Sequence, residues 1–365
     1  MSATVFSRRR QAITVGLLLF VLALMPRVSG LADFATTDEA YHWIDRTARF
    51  WRAVGSGNWA ATLQTGHPGV TLMWLGSAGM WLEGLFGGAP ASVPPQIAHL
   101  AWLRLAPALF EALLVPLAYG LLRRLVQPEA AACAALLWAT SPYLVAHSRL
   151  LHLDALLTGC VTLSILLLLV ACAATQRHFW LYLALSGGCA GLALLTKGPA
   201  LIVLPFAGLT LFALIWHQVR PVRPAEWRLL IGRVAGAYLA WLAIALLVVV
   251  ALWPALWVIP NQALARYIGE ITDNGGRPNG DGQFFFGQAL ADPGPFFYPA
   301  ADLFRTTPAM LLGLLAVPLA LQRRPNRRTL IVLAAFVLFW TLVMSLGPKK
   351  FDRYVLPTWP ALLIL

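Results

Sequence analysis

Charged residues and cysteines are scarce in this sequence of 365 residues. Only 12% of the residues are charged, roughly half the share found in an ordinary soluble domain, and 59% are hydrophobic. This composition excludes a soluble globular domain. The four cysteines all lie inside apolar runs, at Cys133, Cys160, Cys172 and Cys189. Their placement argues against both a disulfide framework and a thiolate metal site.

Apolar runs recur along the whole chain at the length that crosses a bilayer, roughly 17–25 residues. They predict one all-α polytopic domain in the cell membrane, spanning residues 1–365, with about ten transmembrane helices. The predicted spans are 13–25, 104–122, 130–146, 154–174, 180–195, 200–216, 234–252, 303–321 and 330–346, and a last one begins near 355. The chain stops at Leu365 before that last run can cross, so we expect a truncated C-terminus.

The net charge of +12 would indicate a nucleic-acid partner if the protein were soluble. Here the arginines fall in short loops between predicted spans, where retention on the cytoplasmic side explains them, and we expect no nucleic-acid partner. The basic clusters assigned to the cytoplasm are residues 8–10, 123–124, 220–223 and 323–328. A cleaved signal peptide would orient the chain in the same way. However, Pro26 and Arg27 lie where cleavage needs small residues, which favours a retained first helix.

Residues 67–86 decide the topology. The segment is apolar, but it is interrupted by Gly69, Gly76 and Gly79 and carries Glu83. If it crossed the membrane, the later basic loops would face outward. If it lies on the outer surface as an amphipathic or re-entrant helix, all of them face the cytoplasm. We therefore predict a non-spanning interfacial helix within a first outer loop at 29–103, and a second large outer loop at 253–302.

The stretch at residues 36–43, Thr-Thr-Asp-Glu-Ala-Tyr-His-Trp, follows the first span directly. Its Asp38 and Glu39 are adjacent carboxylates at a membrane exit, where charge is expensive to place and indicates function. A structural alternative is that Thr37 or Asp38 caps an interfacial helix running through Trp43, with Glu39 in its first turn. The two interpretations are compatible, because a helix start holds a carboxylate rigidly for chemistry.

Many of the other polar residues near the apolar runs fall on the same predicted outer face. They are His42, His67, Arg149, His152, Asp154, Lys197, Lys349, Lys350, Asp352 and Arg353. Single members have structural explanations, since Lys197 could mark the end of a span. Lys349 and Lys350 resist that explanation, because positive charge is disfavoured on this side. Together the cations suit a lipid phosphate, and the carboxylates suit a base that deprotonates a nucleophile.

The second outer loop is rich in turn-forming residues between Asn274 and Gln283. It leads into two aromatic triplets at 284–286 and 296–298. These rings suit an anchor at the level of the lipid headgroups. The functional alternative is a mobile flap that orders over a bound substrate.

The chain resembles the C-type glycosyltransferases that use polyprenyl-phosphate sugars, in particular glycosyltransferase family 39, which covers the protein O-mannosyltransferases and the bacterial aminoarabinose transferases of lipid A. The resemblance extends from Leu18 to Pro360. Its motifs, none specific alone, occur in order as Asp38-Glu39, His67-Pro68-Gly69, Ser148-Arg149-Leu150 with Asp154, Thr196-Lys197-Gly198-Pro199-Ala200 and Arg353-Tyr354-Val355-Leu356-Pro357. The aminoarabinose transferases tend to have basic residues where this chain has Tyr41 and His67, which leaves the donor sugar and the acceptor open.

The resemblance implies an enzyme that transfers a sugar from a polyprenyl-phosphate carrier to a lipid, glycan or protein acceptor on the non-cytoplasmic face, by a single inverting displacement. Its partners would be this donor and membrane lipids. Asp38 would act as general base and Glu39 would support it. The donor phosphate would be bound by Lys197, Arg353 and Arg149. The residues implied in substrate binding are His67, Tyr41, His42, Asp154, Lys350 and Tyr354.

Neither a metal nor another cofactor is required by the sequence. Glu39, His42, His67 and Asp281 have suitable side chains for a divalent ion, but no ligand spacing calls for one, and we expect none. The main rival from another class is a transporter or flippase of lipid-linked sugars. Transporters place ionisable residues near the bilayer midplane and often have repeated halves, and neither pattern is evident. An oligosaccharide or O-antigen transferase would share the lipid donor and is a closer alternative.

Overall fold

The computed structural model describes residues 3–87, 95–220, 222–280, 282–322 and 327–365, with the backbone alone for 3–8, 95 and 274. Within these residues the chain is a bundle of helices, which confirms the predicted all-α polytopic membrane fold. Residues 323–326 of the predicted basic cluster and the candidate ligand Asp281 lie outside the described residues.

The secondary structure is nearly all helical. The α-helices are α1 (Ala3–Val28), α2 (Ile44–Gly55), α3 (Val70–Phe86), α4 (Pro95–Leu122), α5 (Pro128–Thr140), α6 (Pro142–Ser148), α7 (Leu153–Ala173), α8 (Gln176–Thr196), α9 (Val203–Val219), α10 (Pro224–Leu252), α11 (Ala255–Val258), α12 (Pro260–Gly276), α13 (Phe297–Arg305), α14 (Pro308–Leu315), α15 (Val317–Gln322), α16 (Arg327–Ser345) and α17 (Trp359–Ile364). A π-helical turn covers Glu39–Trp43, and 3₁₀ turns cover Trp59–Thr62, Gly198–Ile202 and Asp352–Thr358. An antiparallel hairpin in the second predicted outer loop pairs β1 (Gln283–Phe285) with β2 (Gln288–Leu290).

Seven helices of the described chain are long and apolar enough to cross a membrane, and the count rises to nine if two bent pairs each form one span. The bent pairs are α5 with α6, at 57°, and α13 with α14 and α15, at 117°. The result is roughly consistent with the predicted ten. The last predicted span, near Val355, is a 3₁₀ turn followed by the six-residue α17. Residues 67–86 contain the 17-residue α3, whose position relative to the membrane stays a prediction.

Helix α7 occupies the centre of the bundle. Its mean hydropathy is 2.5, and 94% of its most apolar window is buried inside the protein. It packs against α4, α8, α9 and the C-terminal 3₁₀ turn. A helix that is apolar on all sides belongs in the interior, so the first turn of α7, which carries Asp154, lies at the middle of one end of the bundle.

The packing of α7, α8 and α10 depends on small and hydroxylated residues. Ser164 on α7 and Ser186 on α8 each donate to the other's backbone carbonyl, at 2.9 and 2.7 Å. The indole of Trp241 on α10 donates to Ser186 Oγ at 2.9 Å. Gly187 and Gly191 on α8 face α10 so closely that an added Cβ would lie 2.6 and 2.5 Å from its carbonyl oxygens. Such contacts are typical of helix association in membranes.

The second span begins earlier than predicted. Its helix α4 starts at Pro95 instead of Arg104, which shortens the first outer loop. The charge is tolerated inside α4, since Arg104 is buried and paired with Glu39. A buried charge with a good partner does not interrupt a helix.

The helix after the first span is capped by Thr36, so the prediction of Thr37 or Asp38 as the cap was wrong. Thr36 Oγ1 accepts from the Glu39 backbone N–H at 3.4 Å, and Glu39 Oε2 accepts from the Thr36 backbone N–H at 2.9 Å. This reciprocal pair is a capping box, one residue earlier than expected. The Asp38 side chain makes no capping hydrogen bond and stays available for other contacts.

Candidate active site

Five polar side chains meet at one end of the bundle, at the ends of helices distant in sequence. Asp38 precedes the π turn, His152 and Asp154 begin α7, Lys197 joins α8 to α9, and Arg353 lies in the C-terminal 3₁₀ turn. We call these five residues the polar cluster. Four of them, all except His152, were predicted site residues. The structure joins the five through direct contacts between the carboxylates and the basic side chains.

Asp154 is the buried centre of the polar cluster, with 1% of its surface exposed. One oxygen accepts from Lys197 Nζ at 2.6 Å. The other lies 2.9 Å from His152 Nδ1 and 3.4 Å from Arg353 Nε. The carboxylate therefore holds three cationic or protonatable groups in place. Because these groups enclose it, Asp154 is almost entirely shielded from solvent.

Asp38 is the open carboxylate of the polar cluster, with 41% of its side chain exposed. Its Oδ2 lies 3.0 Å from His152 Nε2 and 3.6 Å from a terminal nitrogen of Arg353. The hydrogen bond from His152 lowers the pKa of Asp38 to about 2, although partial burial opposes the shift. Asp38 is therefore ionised at neutral pH and retains free acceptor capacity towards solvent.

Lys197 connects the polar cluster to an apolar cavity of about 260 Å³. Its Nζ lies 4.5 Å above the ring of Tyr354, within the range of a cation–π contact. The apolar lining comes from α12, α16 and the 3₁₀ turn before α9, and includes Leu201, Ile202, Ile271, Val343 and Met344. The polar lining residues are His67, Lys197, Glu270 and Lys349. This arrangement suits a ligand with an apolar chain and an anionic end.

The loop before α3 brings His67 to the same cavity. Gly69 has a φ of +58°, and an added Cβ would lie 2.5 Å from the ring of Trp43, so glycine is required for this turn. Its N–H donates to the Thr196 carbonyl at 3.2 Å, and Thr71 bonds the Thr196 hydroxyl at 2.7 Å. These contacts attach the loop to the residue before Lys197.

His67 itself is paired with Glu270 on α12, at 3.1 Å between Nε2 and Oε1. Burial, followed by the charge of Lys197, lowers the pKa of His67 to about 3. His67 is therefore neutral at physiological pH and can contact a substrate through hydrogen bonds but not as a cation.

Glu39 is completely buried, and both of its oxygens are occupied. Arg104 donates to them from Nε at 2.7 Å and from a terminal nitrogen at 2.6 Å. Further donors are the backbone N–H of Leu151 at 2.8 Å and both donors of Thr36. Burial opposes ionisation, but the bonds from Arg104 and Thr36 outweigh it and lower the pKa of Glu39. In this geometry Glu39 positions its neighbour Asp38 and has no face open to substrate.

Two predicted cations make other contacts. The Arg149 guanidinium donates to the carbonyls of Ser29 and Gly30, which attaches the end of α6 to the residues that follow α1. Lys350 is buried, and its Nζ donates to Asp292 at 2.6 Å and to a backbone carbonyl. Both are engaged structurally outside the polar cluster.

Tyr41 and His42 lie on the π turn beside Asp38. Tyr41 is 77% exposed and His42 is also exposed. π-helical turns are rare and occur often at functional sites. Both side chains are therefore placed where a substrate approaching Asp38 would pass.

Three residues of the site were absent from the predicted set. His152 was placed on the outer face without a role, and its position two residues before Asp154 was the available signal. Arg104 is an ionisable residue inside an apolar span, a pattern that calls for a buried partner. Glu270 had no signal, because its partner His67 is distant in sequence and α12 is not apolar.

A metal centre finds no support in the described residues, in which no group of three or more His, Cys, Asp or Glu side chains could hold an ion. The pairing of His67 with Glu270 supplies two ligand types only. Asp281 is outside the described residues. The expectation of no metal stays a prediction.

Three solved structures are similar to this chain over 70–100% of its length. ArnT from Cupriavidus metallidurans bound to undecaprenyl phosphate has a TM-score of 0.63 and 19% identity, covering 100% of this chain and 59% of ArnT. The AglB oligosaccharyltransferase from Archaeoglobus fulgidus, in complex with an inhibitory peptide and a dolichol-phosphate, has a TM-score of 0.58 and 14% identity. The match covers 98% of this chain and 50% of AglB. The S. cerevisiae Pmt1-Pmt2 protein O-mannosyltransferase complex, bound to the sugar donor, has a TM-score of 0.51 and 22% identity. The match covers 70% of this chain and 34% of the matched chain. This chain thus spans less than two thirds of each, and the likeness establishes the fold.

Comparison at the level of sequence identifies a family. The model of the dolichyl-phosphate-mannose-protein mannosyltransferases matches residues 73–265, more than half of the chain. No curated protein matches the sequence. The matched region contains α4, α7, α8 and the junction with Lys197.

Proposed function

Because the chain belongs to the dolichyl-phosphate-mannose-protein mannosyltransferase family, we propose that it takes a sugar from a polyprenyl-phosphate carrier and transfers it to an acceptor at the non-cytoplasmic face of the membrane. The observation that supports the proposal is one open carboxylate, Asp38, which contacts His152 and Arg353. Through Asp154 the same cluster includes Lys197, which lines an apolar cavity. An active site that served a water-soluble donor would not need that cavity.

The polyprenyl phosphate binds with its chain in the cavity and its phosphate at Lys197 and Arg353. Lys197 Nζ has three donors, of which one bonds Asp154. Arg353 is 28% exposed, and its contacts with Asp154 and Asp38, at 3.4 and 3.6 Å, leave other N–H groups of its guanidinium for a phosphate. Charge-assisted bonds from both groups to a phosphate are about twice as strong as neutral ones. The lipid phosphates bound to ArnT and AglB support this class of donor.

Transfer is a single displacement at the anomeric carbon. The acceptor hydroxyl gives its proton to Asp38, and its oxygen forms the new glycosidic bond as the bond from the anomeric carbon to the phosphate oxygen breaks. The polyprenyl phosphate leaves with the bonding electrons, and Lys197 and Arg353 neutralise its charge. Attack from the side opposite the leaving phosphate inverts the anomeric centre.

The acceptor approaches across the π turn, past Tyr41 and His42, which are exposed beside Asp38. His67 and Tyr354 contact the donor from the cavity side, because both line it. Glu39 fixes the backbone turn that carries Asp38, and Asp154 fixes the ammonium group of Lys197. The acceptor is a hydroxyl of a lipid, glycan or protein.

The test of donor binding uses purified protein and undecaprenyl phosphate. We expect Lys197→Ala to weaken binding by roughly 10- to 150-fold, since a charge-assisted contact is worth about 1.5–3 kcal/mol. Arg353→Ala, which removes a partly exposed side chain, should weaken binding in the same direction without loss of folding. Arg49→Ala is the matched control, because Arg49 is exposed and pairs with Asp45. Parental affinity in both the Lys197 and Arg353 variants would contradict the proposed phosphate site.

A further inference from the structure

We propose that His152 controls the basicity of Asp38, so that its imidazolium form holds Asp38 as a weak base and its neutral form leaves Asp38 a stronger one. In this role His152 is a positioning residue that acts through Asp38 without touching substrate. The inference rests on the proposed function for its consequence in catalysis. The coupling between the two side chains is a property of the structure and can be measured without turnover.

The geometry places His152 between two carboxylates. Its Nε2 lies 3.0 Å from Asp38 Oδ2, and its Nδ1 lies 2.9 Å from Asp154 Oδ2. The contact with Asp38 is a hydrogen bond, and the contact with Asp154 is an ion pair without hydrogen-bond geometry. Both contacts favour the doubly protonated ring, because a neutral imidazole has one N–H and no charge. The side chain is 11% exposed, so water replaces neither contact easily.

The charges around His152 act in opposite directions. The titratable and charged groups that face it are Asp38 before the π turn, Asp154 on α7, Lys197 between α8 and α9, Arg353 in the C-terminal turn, and His147 on α6. Burial and Lys197 disfavour the imidazolium. The two carboxylates in direct contact outweigh them, and the pKa of His152 is raised above the ordinary 6.5.

The coupling has a defined sign. While His152 is protonated, its hydrogen bond lowers the pKa of Asp38 to about 2, which makes Asp38 a poor proton acceptor. When pH rises through the raised pKa of His152, the ring loses its charge, and its attraction for both carboxylates weakens. The proton affinity of Asp38 then increases, and a general base works best when its pKa approaches the working pH. Transfer should therefore rise with pH above 6.5.

A lone carboxylate base predicts a different profile. Its rate would rise around its own pKa in acid and then remain flat through neutral pH. With the proposed pair, the transfer rate instead increases in a step over the pH range in which His152 loses its proton. The height of that step is bounded by the total contribution of a general base, about 10²–10⁴-fold.

The first experiment is a histidine NMR titration of the full chain in lipid nanodiscs, with the His152 signal identified by its loss in His152→Gln. The inference predicts a pKa above 6.5 in the parent and a lower pKa in both Asp38→Asn and Asp154→Asn. By linkage, Asp38 changes the pKa of His152 by the same amount as His152 changes the pKa of Asp38. The coupling can therefore be measured on His152, without titrating Asp38 at low pH. An unchanged His152 pKa in Asp38→Asn would overturn the coupling even if the enzyme is active.

The second experiment is the pH profile of polyprenyl phosphate release from a polyprenyl-phosphate hexose between pH 5 and 9. The parent should show a step above pH 6.5 and His152→Gln should lose it, because glutamine keeps hydrogen bonds but carries no titratable charge. His178→Gln is the matched control, since His178 is exposed at the opposite end of α8. A step retained in His152→Gln would overturn the inference. Absence of release at every pH would count against the proposed function, while the NMR result decides the coupling independently.

Discussion

Asp38 and Glu39 are consecutive carboxylates with opposite environments. Glu39 is fully enclosed and accepts hydrogen bonds from Arg104, Leu151 and Thr36. Asp38 is half-exposed, and His152 is the group that bonds it. The capping box turns Glu39 inward, and the π turn that follows leaves Asp38 outward. The comparison shows that two adjacent carboxylates at the end of a span can have different roles. One fixes the backbone, and the other keeps an exposed side chain that can take part in a reaction.

The difference between them is energetic as well as geometric. Burying a carboxylate costs several kcal/mol unless its partners satisfy it, and a two-bond contact with arginine is among the best compensations. Glu39 has that contact and Asp38 does not. An open carboxylate next to His152 and Arg353 retains the capacity to accept a proton.

The largest structural effect is expected from Glu39→Ala. It leaves Arg104 charged and buried without its partner, which should lower the free energy of unfolding by about 3–5 kcal/mol. The measurement is thermal unfolding in detergent, with the parent and Asp38→Asn as references. A stability equal to the parent's would contradict the structural role of Glu39.

A smaller effect is expected in the pH dependence of stability. The pKa of Asp38 falls from 3.8 to about 2 on folding, so its contribution is present above 3.8 and lost as pH falls towards 2. The pKa of His152 is raised on folding, so its contribution is complete below 6.5 and lost as pH rises through the raised value. The unfolding temperature should be highest between these limits. Asp38→Asn should reduce the decline on both sides, and an unchanged profile would refute the pairing.

The side of the membrane can be tested with probes that perturb little. A single cysteine at Tyr41, exposed beside Asp38, should react with an impermeant thiol reagent from outside the cell, in a background without the native cysteines. A cysteine at Glu129, exposed at the other end of the bundle, should react only after permeabilisation. The reverse pattern would place the polar cluster on the cytoplasmic face.

The smallest effect is expected from Asp45→Asn. Asp45 is a third carboxylate in the same region and serves as an exposed reference for Asp38 and Glu39. Asp45 begins α2, is exposed, and pairs with Arg49 one turn later at 2.9 Å. Such exposed pairs contribute about 0.3–0.5 kcal/mol. Unfolding temperature and transfer should both stay near the parent's. A loss comparable to that of Asp38→Asn would show that general surface charge matters more than position.

The sequence predicted most of the fold because the information is in its apolar runs. The helices α7, α8 and α9 agree with predicted spans, since their apolar stretches need no partner to be recognised. Helix α10 begins at Pro224, ten residues before the predicted span. The start of α4 was missed because Arg104 is compensated by Glu39, a contact that depends on tertiary structure. The cap was missed by one residue because Thr36 and Thr37 both suit that position.

The candidate site was predicted in composition but not in contacts. Asp38, Asp154, Lys197 and Arg353 were selected because they lie at span ends on one face, and the structure places them together. The same argument selected Arg149, which bonds backbone carbonyls instead. Position along a span indicates depth in the membrane but not which neighbouring helix a side chain faces. That choice depends on helix packing, which no local pattern records.

The most direct test of the central claim is sugar transfer by Asp38→Asn, measured together with its unfolding temperature and its binding of undecaprenyl phosphate. The neutral isostere keeps the shape of the side chain and removes its basicity. We expect transfer to fall by about 10²–10⁴-fold, with lipid binding and unfolding temperature close to those of the parent. Near-parental transfer by Asp38→Asn, with Glu39→Gln stable but inactive, would contradict the division of roles and move the base to Glu39.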